Sequence, residues 1–400
     1  MQEDFHYYAT YCASILAGHS HEESLDISYS AQFVDLCSKT LLHKLKAPVK
    51  ASTTQLKLEM MDSGTDILSL QEITRIWASF HFLPRDLYAQ KAKRPKRYMN
   101  KYRLICGPNG DLLVKTVENA KGKSLQHAGI AMHVLADTWA HRYFAGTPSY
   151  VINNTDSEFY EIISEDGRET ERKIRFRHSA SAPDDIEKGL YSNSISQGSE
   201  NSIMNLGHGR AGHFPDYSFA KYRYMPAWGE YRVITKDNPQ DYMKAFTQMV
   251  YALKCLNGSI TSFEADKYDD QVTEKYGDRL NSIIRKRQII ANDDWKAFGE
   301  ELSGKTIDAF DINRYQDEYV LAGKNDKDDT FLGKFIRASI SHKGMITDEI
   351  YRSGNILAGV PKEKILSVGL PGLISDLYGK KNLHGPAKTG IDTPDRQEKD

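Results

Sequence analysis

Residues 127–146 constrain the fold most, because their sequence predicts a buried helix that carries a row of metal-binding side chains. His133, Asp137 and His141 stand four residues apart, and an α-helix turns by about 100° per residue, so the three line one face. His127 is about 40° beyond His141 in the same projection. The intervening residues are mostly small or apolar, which is typical of a helix buried on most sides. A cation can satisfy several buried His and Asp groups at once; the alternative is a histidine-rich core helix with internal hydrogen bonds.

Two further candidate positions lie within the first 40 residues. Asp4 and His6 fall on a predicted first helical turn, where Asp4 could instead act as an N-cap. Asp35 follows Gln32 by three residues on an otherwise apolar helix. Such a pair is often a buried hydrogen-bonded pair. We take Asp35 as a candidate metal ligand, and Gln32 as a residue that orients a ligand by hydrogen bonding.

Other candidates follow in two places. His81 lies between two phenylalanines just before a proline, where a lone histidine is more often structural. Residues 205–216 are rich in glycine, which lets a backbone approach a site closely, and they include His208, His213 and Asp216. An ordinary loop with incidental histidines is the alternative there. One zinc ion takes four ligands or fewer, so this supply predicts two or three metal ions, or one site with many supporting residues.

Composition and missing motifs exclude several function classes. The formal net charge is −1, so nothing in the overall charge calls for nucleic acid or membrane. Basic clusters at 91–97 and 285–287 are typical of solvated surface, with a nucleic-acid role as the alternative. The four cysteines form no CxxC pair, which argues against a cysteine zinc site and fits a reducing compartment. The chain contains no zincin motif, His-Asp dipeptide or nucleophile elbow. It lacks the two Glu-x-x-His motifs that a di-iron bundle needs, and no P-loop or Gly-x-Gly-x-x-Gly motif follows a predicted strand.

The pattern of apolar residues predicts a mainly α-helical bundle with two short β-hairpin insertions. We expect a metal-binding core over residues 1–260, with hairpins near 102–118 and 158–178 and a loop over 179–203. A helical extension over 261–385 would pack on this core, and 386–400 would form a polar tail. Residues 147–203 are a candidate protein-binding insertion. We find no Sec-type signal and no apolar run long enough to span a membrane, so we expect a cytoplasmic protein, with delivery to another cell by a specialised secretion system as the alternative.

The His133/Asp137/His141 row, followed by a later histidine-rich segment, resembles the zinc-dependent phospholipase C and P1 nuclease superfamily. That resemblance implies a helical fold with a trinuclear zinc cluster that cleaves phosphodiesters, in which Asp137 is shared between metals. It also implies ligand roles for the earlier and later candidates, which would be Asp35, His81, His208 and His213. In this superfamily an N-terminal amino group is a ligand, and here Asp4 or His6 would replace it. Asp216 would replace the usual glutamate of the later segment.

Four motifs also resemble an uncharacterised bacterial family of unknown function over about residues 1–260. They are Asp-Phe-His-Tyr-Tyr, Phe-His-Phe-Leu-Pro, His-x-x-Ala-Asp-Thr-Trp-Ala-His and Gly-His-x-x-x-Gly-His-x-Pro-Asp. This closer resemblance implies no activity.

Together these observations predict a metal-dependent hydrolase of a phosphodiester, in a phospholipid or a nucleic acid. We expect two or three zinc ions, with manganese or iron as alternatives. Asp137 would bridge metals and position the attacking oxygen, Arg210 would offer charge to a phosphate, and Tyr7 would support the pocket. The rival hypothesis is a non-enzymatic interaction or effector protein in which a metal cluster only joins helices.

Overall fold

Helices make up about half of the described chain, which in this computed structural model covers residues 1–63, 67–155, 158–165, 167–177, 183–193 and 205–360. The α-helices of these residues are α1 (Thr10–Leu16), α2 (His21–Phe33), α3 (Lys39–Lys44), α4 (Lys57–Ser63), α5 (Ile67–Phe80), α6 (Lys96–Tyr102), α7 (Asp111–Ala120), α8 (Leu125–Ala140), α9 (Tyr150–Asn153), α10 (Asn238–Leu256), α11 (Asp270–Ile284), α12 (Asn292–Ser303), α13 (Gln316–Leu321) and α14 (Phe331–Arg352). A π-helix, Asp4–Ala9, precedes α1, and 3₁₀ turns lie at Val49–Ala51, Phe214–Asp216, Ala227–Gly229 and Lys327–Asp329. The prediction of a mainly helical protein is confirmed.

Helix α8 lies at the centre and packs against α2, α7, α10 and α14. Its residues from Ala128 to Ala140 are all buried, as its apolar composition requires. The crossing with α2 is close because Gly129 has no side chain: a Cβ there would lie 2.4 Å from the carbonyl oxygen of Ile27 and 2.4 Å from Cβ of Ser30. This glycine therefore sets the distance between α2 and the face of α8 that carries His133.

The strands form a small sheet beside the helices. They are β1 (Tyr160–Glu165), β2 (Arg168–Lys173), β3 (Arg175–Arg177), β4 (Leu190–Ser192), β5 (Lys221–Tyr224) and β6 (Ile234–Asp237). The antiparallel sheet has the order β2-β1-β5-β6, while β3 and β4 pair in parallel. In the region of the second predicted hairpin, β1 pairs with β2, with Tyr160 opposite Lys173.

Two hydrophobic clusters meet near the end of α8. The larger one contains the helices, including those after residue 261, and residues 1–359 belong to one compact unit. The smaller one is aromatic and joins Phe82 and Phe144 to Phe214, Tyr222 and Tyr224 beneath the sheet. The histidine-rich segment before β5 is thereby held against the end of α8.

The hairpin predicted over 102–118 is wrong, because α6 ends at Tyr102 and the expected second strand, residues 111–118, lies in α7. Asn109 does adopt a left-handed turn conformation, with φ of 62°, but the turn leads into a helix. The buried residues after it follow helical spacing, and they are Leu112, Leu113, Thr116, Val117 and Ala120. A Val- and Leu-rich run of this length fits either period, and packing of α7 on α8 selects the helix.

Some predicted regions lie wholly or partly outside the described residues. The loop over 179–203 is described only at 183–193, and of the predicted C-terminal extension residues 361–385 fall outside, as does the tail over 386–400. The insertion over 147–203 stays a prediction as a partner surface. Among the described helices, none is long and apolar enough to cross a membrane.

Candidate metal centre

The candidate metal ligands of α8 face the same site. His133 and Asp137 lie on the helix, and His141 is its C-cap, with its N–H bonded to the carbonyl of Asp137 at 2.9 Å. The four-residue spacing therefore still places His141 beside Asp137, although His141 lies just after the last residue of the helix. All three side chains are nearly or fully buried, at 0%, 1% and 4% exposure.

Four histidines of the site are oriented in the same way, each by a hydrogen bond from one ring nitrogen to a backbone carbonyl. The pairs are His81 Nε2 with Thr53 at 3.0 Å, His133 Nδ1 with Ala31 at 2.9 Å, His141 Nδ1 with His81 at 2.7 Å, and His208 Nδ1 with Gly212 at 2.8 Å. A carbonyl only accepts, so the bonded nitrogen carries the proton. In the neutral ring the other nitrogen then presents a lone pair, which is how metal-binding histidines are usually held.

Asp35 and His81 come from chain segments that are tied together. Helix α2 ends at Phe33, so Asp35 does not lie on the helix as the sequence predicts but in the turn that follows. Thr53 donates its hydroxyl to the carbonyl of Val34 at 2.6 Å, while its own carbonyl accepts the proton of His81. One residue thus fixes both candidate ligands.

These residues form a first set of ligand atoms, here called the Asp35 group: Asp35 Oδ1, His81 Nδ1, His133 Nε2 and Asp137 Oδ2. Five of the six distances among the four atoms are 3.3 Å (His81–His133), 3.4 Å (His81–Asp137), 3.2 Å (His133–Asp137), 3.7 Å (Asp35–His81) and 3.9 Å (Asp35–His133). Tetrahedral bonds of 2.0–2.2 Å separate ligand atoms by about 3.3–3.6 Å. The three distances among His81, His133 and Asp137 lie at this spacing, and Asp35 with His81 and His133 forms a group whose ligand atoms all lie within 4.8 Å of one another.

The other oxygen of Asp137 belongs to a second set, the His6 group. His6 Nε2 lies 3.2 Å from Asp137 Oδ1, and the α-amino group of Met1 lies 2.7 Å from the same oxygen. Neither ring nitrogen of His6 has a hydrogen-bond partner, and in the Asp35 group Asp137 Oδ2 has none. Buried polar atoms of this kind need a partner, and a cation in each group would supply one.

The third set, the Asp216 group, comes from the end of α8 and the glycine-rich segment. Asp216 Oδ1 lies 3.0 Å from His141 Nε2, and Oδ2 lies 3.6 Å from His208 Nε2. Gly207 allows this approach: its φ is +53°, and a Cβ would lie 2.2 Å from the ring of Phe82. His213 is at the edge, 3.7 Å from Asp216 Oδ2 and 58% exposed.

The carboxylates of this buried cluster carry more negative charge than its one ammonium group can balance. Although burial opposes ionisation, His141 and the Met1 ammonium hold the pKa of Asp137 well below its usual range, and His208 with the same ammonium does so for Asp216. Burial lowers the pKa of His6 and of His208 to about 4. Both rings are then neutral near pH 7, the form that binds metal ions.

A pocket of about 130 Å³ gives solvent access to the site. Thr54, Trp77 and Phe82 line it beside ligands of the Asp35 and Asp216 groups. The side chains of Asp35 and His208 are 30% and 18% exposed, so the centre reaches the surface. Of these lining residues, sequence reasoning noted only Phe82, as part of the motif around His81.

The α-amino group of Met1 was also missed as a member of the site. Asp4 or His6 was expected in that place, yet in this chain the amino group itself lies among Asp137, Asp216 and His141, 3.3 Å from the latter two. Burial opposes its charge, but the surrounding carboxylates raise its pKa to about 11. The spacing patterns used on the sequence contain no signal for such a group.

Besides His213, which lies at the edge, five predicted residues are not brought into the ligand groups. Asp4 accepts the N–H of Ala291 at 3.0 Å, and burial raises its pKa to about 6. The ring of His127 contacts Ser124 at 3.0 Å, and the hydroxyl of Tyr7 bonds to the carbonyl of Asp308. Gln32 is buried with its Oε1 unpaired.

Arg210 is the fifth. Its guanidinium bonds to Asn154 Oδ1 at 3.1 Å and Asn205 Oδ1 at 3.2 Å, and it lies over the ring of Tyr150. It does not line the pocket described above. The predicted role of Arg210 as a phosphate-binding residue therefore gains no support from its position.

A family model described as a family of unknown function (DUF6765) matches residues 1–350. The matched region includes the whole centre, from Met1 to Asp216. No curated protein and no solved structure matches the chain.

Proposed function

Since the chain belongs to DUF6765, a family without an assigned activity, we propose its function from the chemistry of the centre: it is a metal-dependent hydrolase of phosphodiesters with a polynuclear, zinc-type site. The observation that carries the metal is the Asp35 group. His81 Nδ1 and His133 Nε2 face each other at 3.3 Å, and each ring gives its proton to a carbonyl on the far side. Two lone pairs and a carboxylate oxygen then converge on one point.

A single proton satisfies only some of these atoms. An imidazolium at His133 would donate to Asp137 Oδ2 at 3.2 Å or to His81 Nδ1 at 3.3 Å, and the other atom would stay without a donor. A cation at the centre of the group satisfies all of these atoms together. Nitrogen and carboxylate ligands at this spacing favour zinc, and manganese or iron(II) also accept them.

Asp137 is the residue that makes the centre polynuclear. Its Oδ2 belongs to the Asp35 group and its Oδ1 to the His6 group, so one carboxylate joins two sets of ligands. The Asp216 group adjoins them through His141, whose Nδ1 contacts Asp137 Oδ2 at 3.5 Å. The proposed ligands are His6, Asp35, His81, His133, Asp137, His141, His208 and Asp216.

The reaction class follows from this arrangement. Bound metal ions would polarise a phosphoryl oxygen and lower the pKa of a water molecule, which is the chemistry of phosphodiester cleavage at paired sites. Asp35 and His208 are the partly exposed ligands, and Trp77 and Phe82 add aromatic rings to the lining of the pocket. The resemblance to zinc-dependent phospholipase C and P1 nuclease supports the same reaction.

A purely structural metal cluster is the competing function. Structural sites are closed by protein ligands, whereas catalytic sites keep a position open. The pocket and the 30% exposure of Asp35 favour the catalytic alternative.

The test is hydrolysis of bis(p-nitrophenyl) phosphate, followed by single-stranded DNA and phosphatidylcholine as substrates. We expect the wild type to lose activity with a chelator and regain it with zinc, and Asp137→Asn to lose at least about 100-fold. Asp4→Asn is the matched control, since this buried carboxylate lies outside the ligand groups and Asn can still accept from Ala291. If the metal-loaded wild type cleaves none of these phosphodiesters, the hydrolase function is wrong and the metal cluster is structural.

A further inference from the structure

Two surface segments, residues 88–97 and 227–233, form what we call the basic–aromatic patch. The first runs from the connection after α5 into the first turn of α6, and the second lies between β5 and β6. They are joined by Lys91, whose ammonium donates to the carbonyl of Trp228 and lies 3.3 Å from Glu230. Arg94 approaches the same carboxylate at 3.7 Å. The two segments therefore present one continuous surface.

The patch is strongly positive on a chain that is nearly neutral. Its basic residues are Lys91, Lys93, Arg94, Lys96, Arg97 and Arg232, and its acidic residue is Glu230. Six positive and one negative side chain leave five net positive charges, against −1 for the whole chain. A local excess of this size attracts an anionic surface.

Apolar side chains protrude from the same surface. Tyr231 is 90% exposed, Tyr88 is 64% exposed and Val233 is 51% exposed. Glu230 and Tyr231 both have left-handed backbone conformations, with φ of 54° and 64°. Such conformations are unfavourable for residues with a Cβ, and here they hold a large aromatic ring out in solvent.

The base of the patch adjoins the metal centre. The ring of Trp228 packs between those of Tyr102 and Tyr143, with centroids 6.1 Å from each. Tyr143 is two residues beyond His141. A surface bound at the patch would therefore lie on the side of the protein that carries the end of α8.

We propose that the basic–aromatic patch docks the protein on an anionic lipid surface. Lysine and arginine are attracted by anionic headgroups, while tyrosine rings and small aliphatic side chains enter the interfacial region. A nucleic acid would use the charges and the tyrosines, but it offers nothing to Val233. The patch goes beyond the proposed hydrolase function and acts without a metal.

The experiment is co-sedimentation with extruded vesicles of phosphatidylcholine, with and without about 30% phosphatidylglycerol. We expect binding to the anionic vesicles at low salt, weakened at least about ten-fold in 0.5 M NaCl because salt screens the charges. Lys93→Glu/Lys96→Glu should weaken binding about 100-fold and Tyr231→Ser/Val233→Ser about ten-fold. Chelator-treated protein should bind equally well, so failure of the hydrolase proposal leaves this result untouched.

Matched controls exist on other surfaces. Val320→Ser/Leu321→Ser removes side chains that are 50% and 83% exposed, and Lys44→Glu/Lys50→Glu reverses two exposed charges; both should bind like the wild type. Circular dichroism melts check that each variant folds. The proposal is overturned if the wild type does not bind anionic vesicles, if the patch variants bind like the controls, or if the patch residues support binding of a single-stranded oligonucleotide and not of vesicles.

Discussion

The imidazole rings of His6 and His133 stack face to face, with centroids 3.8 Å apart and planes 19° from parallel. The stack joins the π-helix at the start of the chain to α8. Burial, and after it the neighbouring His133, lowers the pKa of His6 to about 4. Nε2 of each ring is directed at Asp137, at a distance of 3.2 Å from one of its two oxygens.

Replacing His6 with Phe should therefore separate ligand chemistry from packing. The ring stack persists while the nitrogen ligand is lost, so we expect about one metal ion fewer per chain with little change in melting temperature of the metal-free protein. Metal content by mass spectrometry and a thermal melt measure the two effects. His127→Phe is the control, because this ring lies on α8 outside the ligand groups; a metal loss as large in this variant would count against the assignment.

Gly129→Ala should disturb the centre from a distance. A Cβ at this position lies 2.4 Å from the backbone of Ile27 and 3.0 Å from the nitrogen of Ala31, whose carbonyl orients His133. We expect a loss of about 1–3 kcal/mol in the free energy of unfolding together with weaker metal binding. Chemical denaturation and zinc titration measure both.

Gly344→Ala tests the same substitution in open space. No atom lies within 4 Å of a Cβ at Gly344 on α14. We expect unchanged metal binding and a protein that is more stable by up to about 1 kcal/mol, since alanine favours helix over glycine. Equal destabilisation by the two variants would show that the close contact at Gly129 does not matter.

Because Lys343 is buried, we expect the free energy of unfolding to depend on pH. Its ammonium donates to the carbonyl of Ser52 at 2.6 Å beside the segment that orients His81, and burial lowers its pKa from 10.5 to about 7. Between these values the unfolded chain holds a proton that the folded chain has lost, so the free energy of unfolding rises with pH from about 7 to about 10.5.

In Lys343→Met this contribution disappears. We expect the stability difference, wild type minus variant, to increase by about 1 kcal/mol per pH unit across that window, measured by urea denaturation at each pH. Lys324→Met, at an exposed lysine, should show a constant difference. A flat profile for Lys343→Met would mean that the lysine keeps its proton in the folded state.

The sequence predicts many of the residues of the centre, because helical periodicity and apolar neighbours indicate which polar side chains are buried together. His133, Asp137 and His141 follow from the period of α8, and His81 from its aromatic flanks. His127 shows the limit of angular reasoning alone. It lies ten residues before Asp137, which is about 15 Å along the helix axis, so a similar angle does not bring it to the same place.

Other features depend on contacts that a single sequence does not encode. Asp4 accepts a hydrogen bond from the N–H of Ala291 at the start of α12, and Arg210 donates hydrogen bonds to Asn154 and Asn205. These bonds hold both side chains outside the ligand groups. These partners lie on separate elements of the fold. The helix α7 was missed for a related reason: its short apolar run fits either period until packing on α8 decides between them.

The metal content of the purified protein decides whether these three ligand groups hold metal ions. After exposure to zinc and removal of excess metal by dialysis, inductively coupled plasma mass spectrometry should find two or three ions per chain, the number that the three ligand groups predict. Asp137→Asn should lose at least one ion and Asp216→Asn about one, while Asp4→Asn keeps the wild-type content. A wild-type protein that retains less than one ion of zinc, manganese or iron per chain would contradict the account.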